Sequence, residues 1–275
     1  MHIYAFSDEA ASRMEGQIAA MKRNGLNGTE IRGVDGQNVS ELTKSKAAQV
    51  MAMLKENGLS VWSIGSPIGK IPLDGDFAAH LELLKHLTEI ANELECRNLR
   101  MFSFYLPKDV QPEDCRNQVI DYLSRMAETA AGSGVTLCHE NEKGIYGDNA
   151  VRCAQILDAV PSLQCVFDPA NFIQCGQDVR EAWALLGRRV YYMHIKDALA
   201  DGTVVPAGKG IGCLSELLKD FSGQGGEAVT VEPHLQVFEG FSDLERDHKT
   251  PVPRFAYPSS DAAFDAACQA LKALL

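Results

Sequence analysis

Eight short segments rich in β-branched and aromatic residues recur along this chain, and longer segments of helical periodicity separate them. This alternation is typical of repeated βα units, in which a helix leads from each strand to the next parallel strand. It therefore favours a parallel sheet that is covered by helices. The predicted strands are Ile3–Ser7, Thr29–Gly33, Ser60–Ile64, Asn98–Ser103, Val135–Glu140, Cys165–Asp168, Val190–Ile195 and Ala228–Glu232.

The segments between these strands place apolar residues on one helical face. Helices are predicted near Asp76–Leu94 and near Glu113–Ala131, where apolar side chains recur at spacings of three, four and seven. Other helices are expected to end at Asn24-Gly25, Asn57-Gly58 and Ser133-Gly134, since glycine adopts the left-handed conformation of a C-cap at little cost.

Eight βα units in 275 residues fit a closed (β/α)8 TIM barrel, a fold that usually takes about 250 residues. The alternative is an open doubly wound sheet. No GxGxxG follows the first strand, where a dinucleotide-binding sheet would carry it. With no linker or low-complexity tract, residues 1–275 are predicted to form a single α/β barrel domain.

Composition excludes several classes of function. The formal net charge is −11, with both signs mixed along the chain, which disfavours nucleic acid as a partner. No stretch reaches the roughly 20 apolar residues of a membrane helix, and the N-terminus does not resemble a signal peptide, so we expect a cytoplasmic protein with no membrane partner. The 8 cysteines form no CxxC pair, and most are expected to be buried and apolar in role.

Four consecutive strands end on residue types that bind metal ions. The segments GVTLCHENE, QCVFDPANF, VYYMHIKD and AVTVEPHL place Glu140, Asp168, His194 and Glu232 at these ends. The carboxyl ends of barrel strands meet on one face, so we expect the four side chains to surround a common centre. Three carboxylates and one imidazole suit one divalent metal ion, with Mn²⁺ favoured and Co²⁺, Mg²⁺ or Zn²⁺ also compatible.

Each of these residues alone has a simpler interpretation. A carboxylate at a strand end is often a helix N-cap or a surface ion pair, and a single histidine is often a hydrogen-bonded core residue. Together they favour the metal, because three carboxylates buried side by side cost several kcal/mol per uncompensated charge.

Six motifs resemble the xylose isomerase-like barrel superfamily, in particular its sugar phosphate isomerase/epimerase group. They are EIRG at 30–33, ENE at 140–142, FDPAN at 167–171, HIKDA at 194–198, VPAGKGIG at 205–212 and VEPHL at 231–235. The resemblance implies that Glu140, Asp168, His194 and Glu232 bind the metal. Its ketose 3-epimerase branch further implies that Glu140 and Glu232 are the catalytic pair that transfers protons.

The sequence departs from that branch at three positions associated with substrate. Ketose 3-epimerases carry an acidic residue, a histidine and an arginine where this chain has Tyr146, Asn171 and Ala200. The resemblance therefore implies the metal ligands but not a ketose 3-epimerase specificity.

Several residues beside these ligands are candidates for binding substrate. Asn171 and Lys196 follow metal ligands and Glu30 ends the second strand, while Lys209 and the backbone amides of Pro206–Gly212 could hold an anion such as a sugar phosphate. Asp197 is expected to cap the following turn or to brace His194. Strand alternation should turn His139 away from Glu140.

The long connection at residues 235–260 contains Phe238, Phe241, Phe255 and Tyr257. A connection of this length is expected to be either a lid over the site or an interface flap. A homo-oligomer is left open.

The predicted function is a metal-dependent isomerase or epimerase that acts on a small-molecule carbohydrate. A metal that binds a carbonyl and the adjacent hydroxyl makes the carbon acid stronger, and two glutamates could then move its proton between faces. The alternatives are an inosose dehydratase-like lyase and a non-catalytic carbohydrate-binding barrel. The endonuclease IV branch of the superfamily needs further histidine ligands that strands one to four do not end on.

Overall fold

Eight parallel strands close into a barrel in a computed structural model that describes residues 1–237 and 257–275. The strands follow one another around the barrel in chain order, and β8 pairs with β1 to close it. The predicted TIM barrel is therefore confirmed. The strands are β1 His2–Ala5, β2 Gly28–Ile31, β3 Ser60–Gly65, β4 Asn98–Met101, β5 Thr136–Glu140, β6 Gln164–Phe167, β7 Val190–Ile195 and β8 Ala228–Val231.

Helices surround the barrel. They are α1 Met14–Arg23, α2 Lys44–Glu56, α3 Phe77–Glu93, α4 Pro112–Ala130, α5 Ala150–Ala159, α6 Pro169–Gln174, α7 Val179–Leu186, α8 Leu214–Gly223 and α9 Ser260–Lys272. Two short antiparallel ribbons extend the carboxyl end of the barrel. One pairs Gly33–Val34 with Gln37–Asn38, and the other pairs Asp197–Ala198 with Val204–Val205.

Most of the predicted helix ends agree with the structure. Asp76 caps α3 by accepting the backbone N–H of Ala79, one residue from the expected start. Gly25 and Gly58 have positive φ and directly follow the C-cap residues of α1 and α2, as predicted. Gly134 also has positive φ, but α4 ends earlier, at Ala130, so this glycine does not cap it. Most predicted strands extend one or two residues beyond the observed carboxyl ends, because the chain leaves the sheet there to form the loops of the upper face.

The barrel interior changes character from one mouth to the other. At its amino end, Tyr4, Cys138, Val166, Tyr192 and Ala228 form a small apolar cluster against Trp62. Further along β5 to β8 the inward positions carry ionisable groups instead. Glu140, Asp168 and His194 follow the cluster residues of their strands by two positions, and Glu232 follows by four. Because side chains alternate along a strand, these four strands place an apolar residue at the amino end of the barrel and an ionisable residue above it.

All eight cysteines are free, and six of them are buried, which confirms their predicted apolar role. Within residues 1–237 and 257–275, no helix is long and apolar enough to cross a membrane. Most of the predicted lid or flap at 235–260 lies outside the described residues. Tyr257, at its far end, packs against the main core.

A buried histidine holds the loop that follows β3. The backbone N–H of Gly69 donates to Nε2 of His80 at 2.7 Å. Gly69 has a φ of +85°, and a Cβ there would lie 2.1 Å from the carbonyl oxygen of Phe102. Burial lowers the pKa of His80 from 6.5 to about 4, so the folded protein keeps this imidazole neutral.

Replacement of His80 by Asn should therefore reduce the acid sensitivity of the fold. The folded pKa lies below the unfolded one, so the stability that neutral His80 provides is present above pH 6.5 and is lost as pH falls towards 4. Linkage sets its size at roughly 3 kcal/mol over this range. Denaturant unfolding at several pH values measures it, with His86→Asn on the same helix as control. Equal pH dependence in wild type and the His80 variant would contradict this account.

Candidate metal centre

The structure brings the four predicted ligands together at the carboxyl end of the barrel. Glu140, Asp168, His194 and Glu232 each offer one ligand atom, and these atoms all lie within 4.8 Å of one another. All four side chains are buried. Two atoms bound to one ion at about 2.0–2.4 Å can be at most about 4.8 Å apart. The donor set therefore fits a single divalent cation in size, and its three carboxylates fit in charge.

The imidazole of His194 is oriented by contacts at both ring nitrogens. Nδ1 lies 3.0 Å from Oε1 of Glu140 and 3.6 Å from Oε2 of Glu232, so it faces the cluster. Nε2 lies 3.1 Å from Oε2 of Glu30 on the opposite side. Burial alone would lower the pKa of His194, but the carboxylates of Glu140 and Glu30 raise it well above its usual range.

Lys196 bridges two of the four ligands. Its Nζ lies 2.8 Å from Oδ2 of Asp168 and 2.8 Å from Oε2 of Glu232. Burial would lower the pKa of this ammonium, yet the two carboxylates raise it well above its ordinary value. The positive charge of Lys196 thus lies beside the proposed metal ligands.

Asp168 serves two purposes at once. Its Oδ1 accepts the backbone N–H of Asn171 and so caps the short helix α6, while Oδ2 faces Lys196. The helix-cap interpretation and the metal-ligand interpretation therefore apply to different oxygens of the same carboxylate. Asn141 fixes the peptide beside it, donating to the carbonyl of Asp168 and accepting its N–H.

The predicted substrate residue Asn171 contacts the cluster directly. Its Nδ2 donates to Oε1 of Glu140 at 3.2 Å and to the carbonyl oxygen of Asn141 at 3.0 Å. Glu30 lies deeper, with no exposed side-chain surface, between His194 and the hydroxyl of Tyr192. Roles in substrate binding for Asn171, Lys196, Glu30 and Lys209 stay predictions.

Two arginines hold the outer oxygens of the glutamates. Nη1 of Arg100 lies 3.3 Å from Oε2 of Glu140, and Nη1 of Arg32 lies 3.7 Å from Oε1 of Glu232. The two guanidinium carbons lie 4.4 Å (Arg32) and 5.5 Å (Arg100) from the ring centre of Phe6. Each glutamate thus turns one oxygen to the cluster and the other to a guanidinium.

Sequence reasoning missed Arg100 altogether. The sequence feature that could have indicated it is an arginine within the buried strand NLRM, since a charged side chain is rarely buried unless it pairs with an opposite charge. Arg32, in the EIRG motif, is buried between Asp8, Glu9 and Glu232.

The acids of the cluster differ in proton affinity. Burial, opposed by the charge of Lys196 and assisted by the carboxylates of Glu232 and Glu140, raises the pKa of Asp168 to about 7. Burial also acts to raise the pKa of Glu232, but Lys196 and the other neighbouring cations hold it well below its usual range. Glu232 is therefore ionised at neutral pH, with its charge stabilised by Lys196.

A second group of possible ligands adjoins the first through Glu232. Ligand atoms of Glu9, Glu232 and His234 lie within 4.8 Å of one another. Nη2 of Arg32 already lies 3.1 Å from Glu9, and the backbone N–H of His234 donates to the same carboxylate. These contacts already occupy the carboxylate of Glu9, and we assign no ion to this group.

The glycine-rich loop does not offer the anion cradle that its sequence indicated. The backbone N–H groups of Gly208, Gly210 and Gly212 donate to the carboxylate of Asp197 at 2.9–3.0 Å. The amides needed for a phosphate are thus already used, and Lys209 is exposed. Asp197 organises this loop and is not placed to brace His194; Glu30 lies at the ring instead.

His139 points away from the cluster, as strand alternation predicted. Its Nε2 lies 3.0 Å from Oγ of Ser103, which also accepts the backbone N–H of Gly147. Burial lowers the pKa of His139 to about 3, so the ring is neutral.

Several solved structures share this barrel. The probable 3-DHS dehydratase from Bacillus anthracis is 16% identical with a TM-score of 0.75, covering 99% of both chains. The IOLI protein with a binding zinc atom is 15% identical with a TM-score of 0.74, covering 100% of this chain and 98% of its own. The D-allulose 3-epimerase from Methylomonas sp. in complex with D-allulose is 17% identical with a TM-score of 0.73, covering 100% and 97%.

These identities are low enough that the structures show a shared fold alone. No curated protein is significantly similar to the sequence. The model of one protein family, described as the xylose isomerase-like TIM barrel, matches residues 18–235. Because this match spans most of the chain, the protein belongs to the xylose isomerase-like TIM barrel family.

Proposed function

We propose that this protein is a metal-dependent isomerase or epimerase that acts on a sugar or sugar derivative by proton transfer. The observation that carries the proposal is the buried cluster of three carboxylates and one imidazole, with ligand atoms within 4.8 Å. Glu140, Asp168, His194 and Glu232 would hold the ion. Mn²⁺ is the favoured metal, and Zn²⁺ is an alternative because a protein of the same fold, the IOLI protein, was described with a zinc atom.

The bound metal would polarise the substrate carbonyl and stabilise the negative charge that develops on deprotonation. Glu140 and Glu232 are the proposed proton-transfer pair. Each keeps one oxygen at the cluster and rests the other on a guanidinium, Arg100 or Arg32, which fixes its direction. One glutamate would remove the proton from one face of the carbon, and the other would return a proton to the opposite face.

Lys196 and Asn171 are the proposed substrate contacts. The ammonium of Lys196 can donate hydrogen bonds to substrate hydroxyls from its position beside Asp168 and Glu232. Asn171 steadies Glu140 and keeps its amide at the cluster. A carbohydrate substrate is also supported by the D-allulose complex of the Methylomonas epimerase, which has the same fold.

A lyase that dehydrates a ring ketone is the second candidate. It needs the same acidified carbon, together with an acid that protonates the departing hydroxyl. The Bacillus anthracis protein of similar fold is a probable dehydratase. Product analysis by NMR separates a dehydrated product from an epimer.

Three further proposals concern the whole protein. We propose that residues 1–275 act as one domain in the cytoplasm, with no nucleic acid partner. A homo-oligomer is compatible with this function.

A non-catalytic barrel is the third candidate. It would bind sugars without turnover, and a sugar panel assayed with added Mn²⁺ distinguishes it from the enzyme.

Titration with Mn²⁺ should reveal one site whose affinity falls as pH decreases towards and below about 7, the pKa of Asp168 in the metal-free protein. The reason is that His194 must lose its proton to bind the metal, and protons compete with the metal for the carboxylates.

Asp168→Asn should weaken binding by at least about 10²-fold, because it removes one of the proposed ligands. Isothermal calorimetry measures both effects. Glu142→Gln, a nearby carboxylate paired with Lys70, serves as control. Unchanged affinity in the Asn variant would refute this site.

Turnover in deuterated water should place solvent deuterium at the rearranged carbon, since the proton passes through a glutamate. Glu140→Gln and Glu232→Gln keep the side-chain size but remove the base, so kcat should fall by about 10²–10⁴-fold at saturating Mn²⁺. NMR of the product and initial rates on a panel of ketoses provide the measurements. A product without deuterium would indicate hydride transfer, and near-normal rates in both variants would show that these two glutamates are not the bases.

A further inference from the structure

Glu30 lies on the side of His194 that faces away from the four proposed ligands. Its Oε2 is 3.1 Å from Nε2 of His194, and neither side chain has any exposed surface. The other oxygen accepts the hydroxyl of Tyr192 at 3.0 Å. The carboxylate of Glu30 therefore lies between the phenol of Tyr192 and the imidazole of His194.

This contact decides which ring nitrogen carries the proton once a metal ion is bound. A carboxylate can only accept hydrogen bonds, and both ring nitrogens face one, Nδ1 at Glu140 and Nε2 at Glu30. A metal ion among the four ligands would take the lone pair of Nδ1, so the remaining proton belongs on Nε2, where Glu30 accepts it. In the opposite tautomer the proton on Nδ1 would block the metal, and the lone pair of Nε2 would face the carboxylate of Glu30.

The ring has little freedom to turn. Phe6 packs edge-on against it, with ring centroids 5.3 Å apart and planes at 81°. Arg100 links Glu30 to the ligand set, since its guanidinium lies 3.8 Å from Glu30 and 3.3 Å from Glu140. One buried unit therefore orients both a proposed histidine ligand and a proposed glutamate ligand.

We propose that Glu30 is a positioning residue that sets the tautomer and direction of His194 for metal binding. The inference rests on the proposed metal site. Carboxylates that accept the second N–H of a metal-bound histidine raise its basicity as a ligand, and their loss typically costs 10–100-fold in metal affinity. The EIRG motif thus supplies a support for the metal, whereas its sequence position alone indicated a substrate contact.

The test compares Mn²⁺ affinity by calorimetry in wild type, Glu30→Ala and Glu30→Gln. We expect a loss of about 10–100-fold in the Ala variant. The Gln variant should retain part of the affinity, since its amide oxygen can still accept the Nε2 proton. Glu142→Gln removes a carboxylate of the same barrel end that pairs with Lys70, and should bind Mn²⁺ within about threefold of wild type.

A second readout reports the tautomer itself. In the Zn²⁺-loaded wild-type protein, ¹⁵N-resolved NMR should show a slowly exchanging downfield proton on Nε2 of His194. This resonance should be lost in Glu30→Ala, and Tm measured without metal separates general destabilisation from the loss of ligand orientation.

The outcomes are distinct. If wild type binds no divalent metal, the proposed function fails and this inference fails with it. If wild type binds Mn²⁺ and both Glu30 variants bind it equally well, the inference alone is overturned. In the Zn²⁺-loaded wild type, a His194 proton on Nδ1 with none on Nε2 would overturn it as well.

Discussion

Burial of negative charge at the upper mouth of the barrel is the constraint on which this structure depends. Glu30, Glu140, Asp168 and Glu232 are all nearly inaccessible to water, and such carboxylates are stable only beside positive charge. Arg32, Arg100 and Lys196 supply part of it from three different strands or strand ends. A divalent ion among the four ligand atoms would supply the rest, so the same electrostatic requirement shapes the fold and the proposed chemistry.

The symmetry of this arrangement explains how two glutamates could play complementary parts. Glu140 and Glu232 each have a guanidinium behind the outer oxygen and the cluster before the inner one. Phe6 lies within cation–π distance of both guanidinium groups, and its edge also meets His194. A single aromatic residue at the end of β1 thus spaces the two arginines and restricts the imidazole.

The strand order and the four clustered residues were predictable because they follow from local rules. A period of two along each strand and the shared carboxyl face of a barrel are enough to bring Glu140, Asp168, His194 and Glu232 together. The partners of these residues were not predictable. Whether Arg100 meets Glu140, or Glu30 meets His194, depends on the stagger between strands distant in sequence, including the register shift between β2 and β3. The arrangement of the glycine-rich loop was not predictable either, because the backbone N–H groups that could bind an anion donate to the carboxylate of Asp197.

The most direct test of the central claim is a crystal structure of the Mn²⁺-loaded protein, with the ion located by anomalous scattering. The account predicts one ion within about 2.0–2.4 Å of an oxygen from each of Glu140, Asp168 and Glu232 and of Nδ1 of His194. It would be contradicted by the absence of an anomalous peak there, or by an ion bound at Glu9 and His234 that leaves Glu140 and Asp168 without metal.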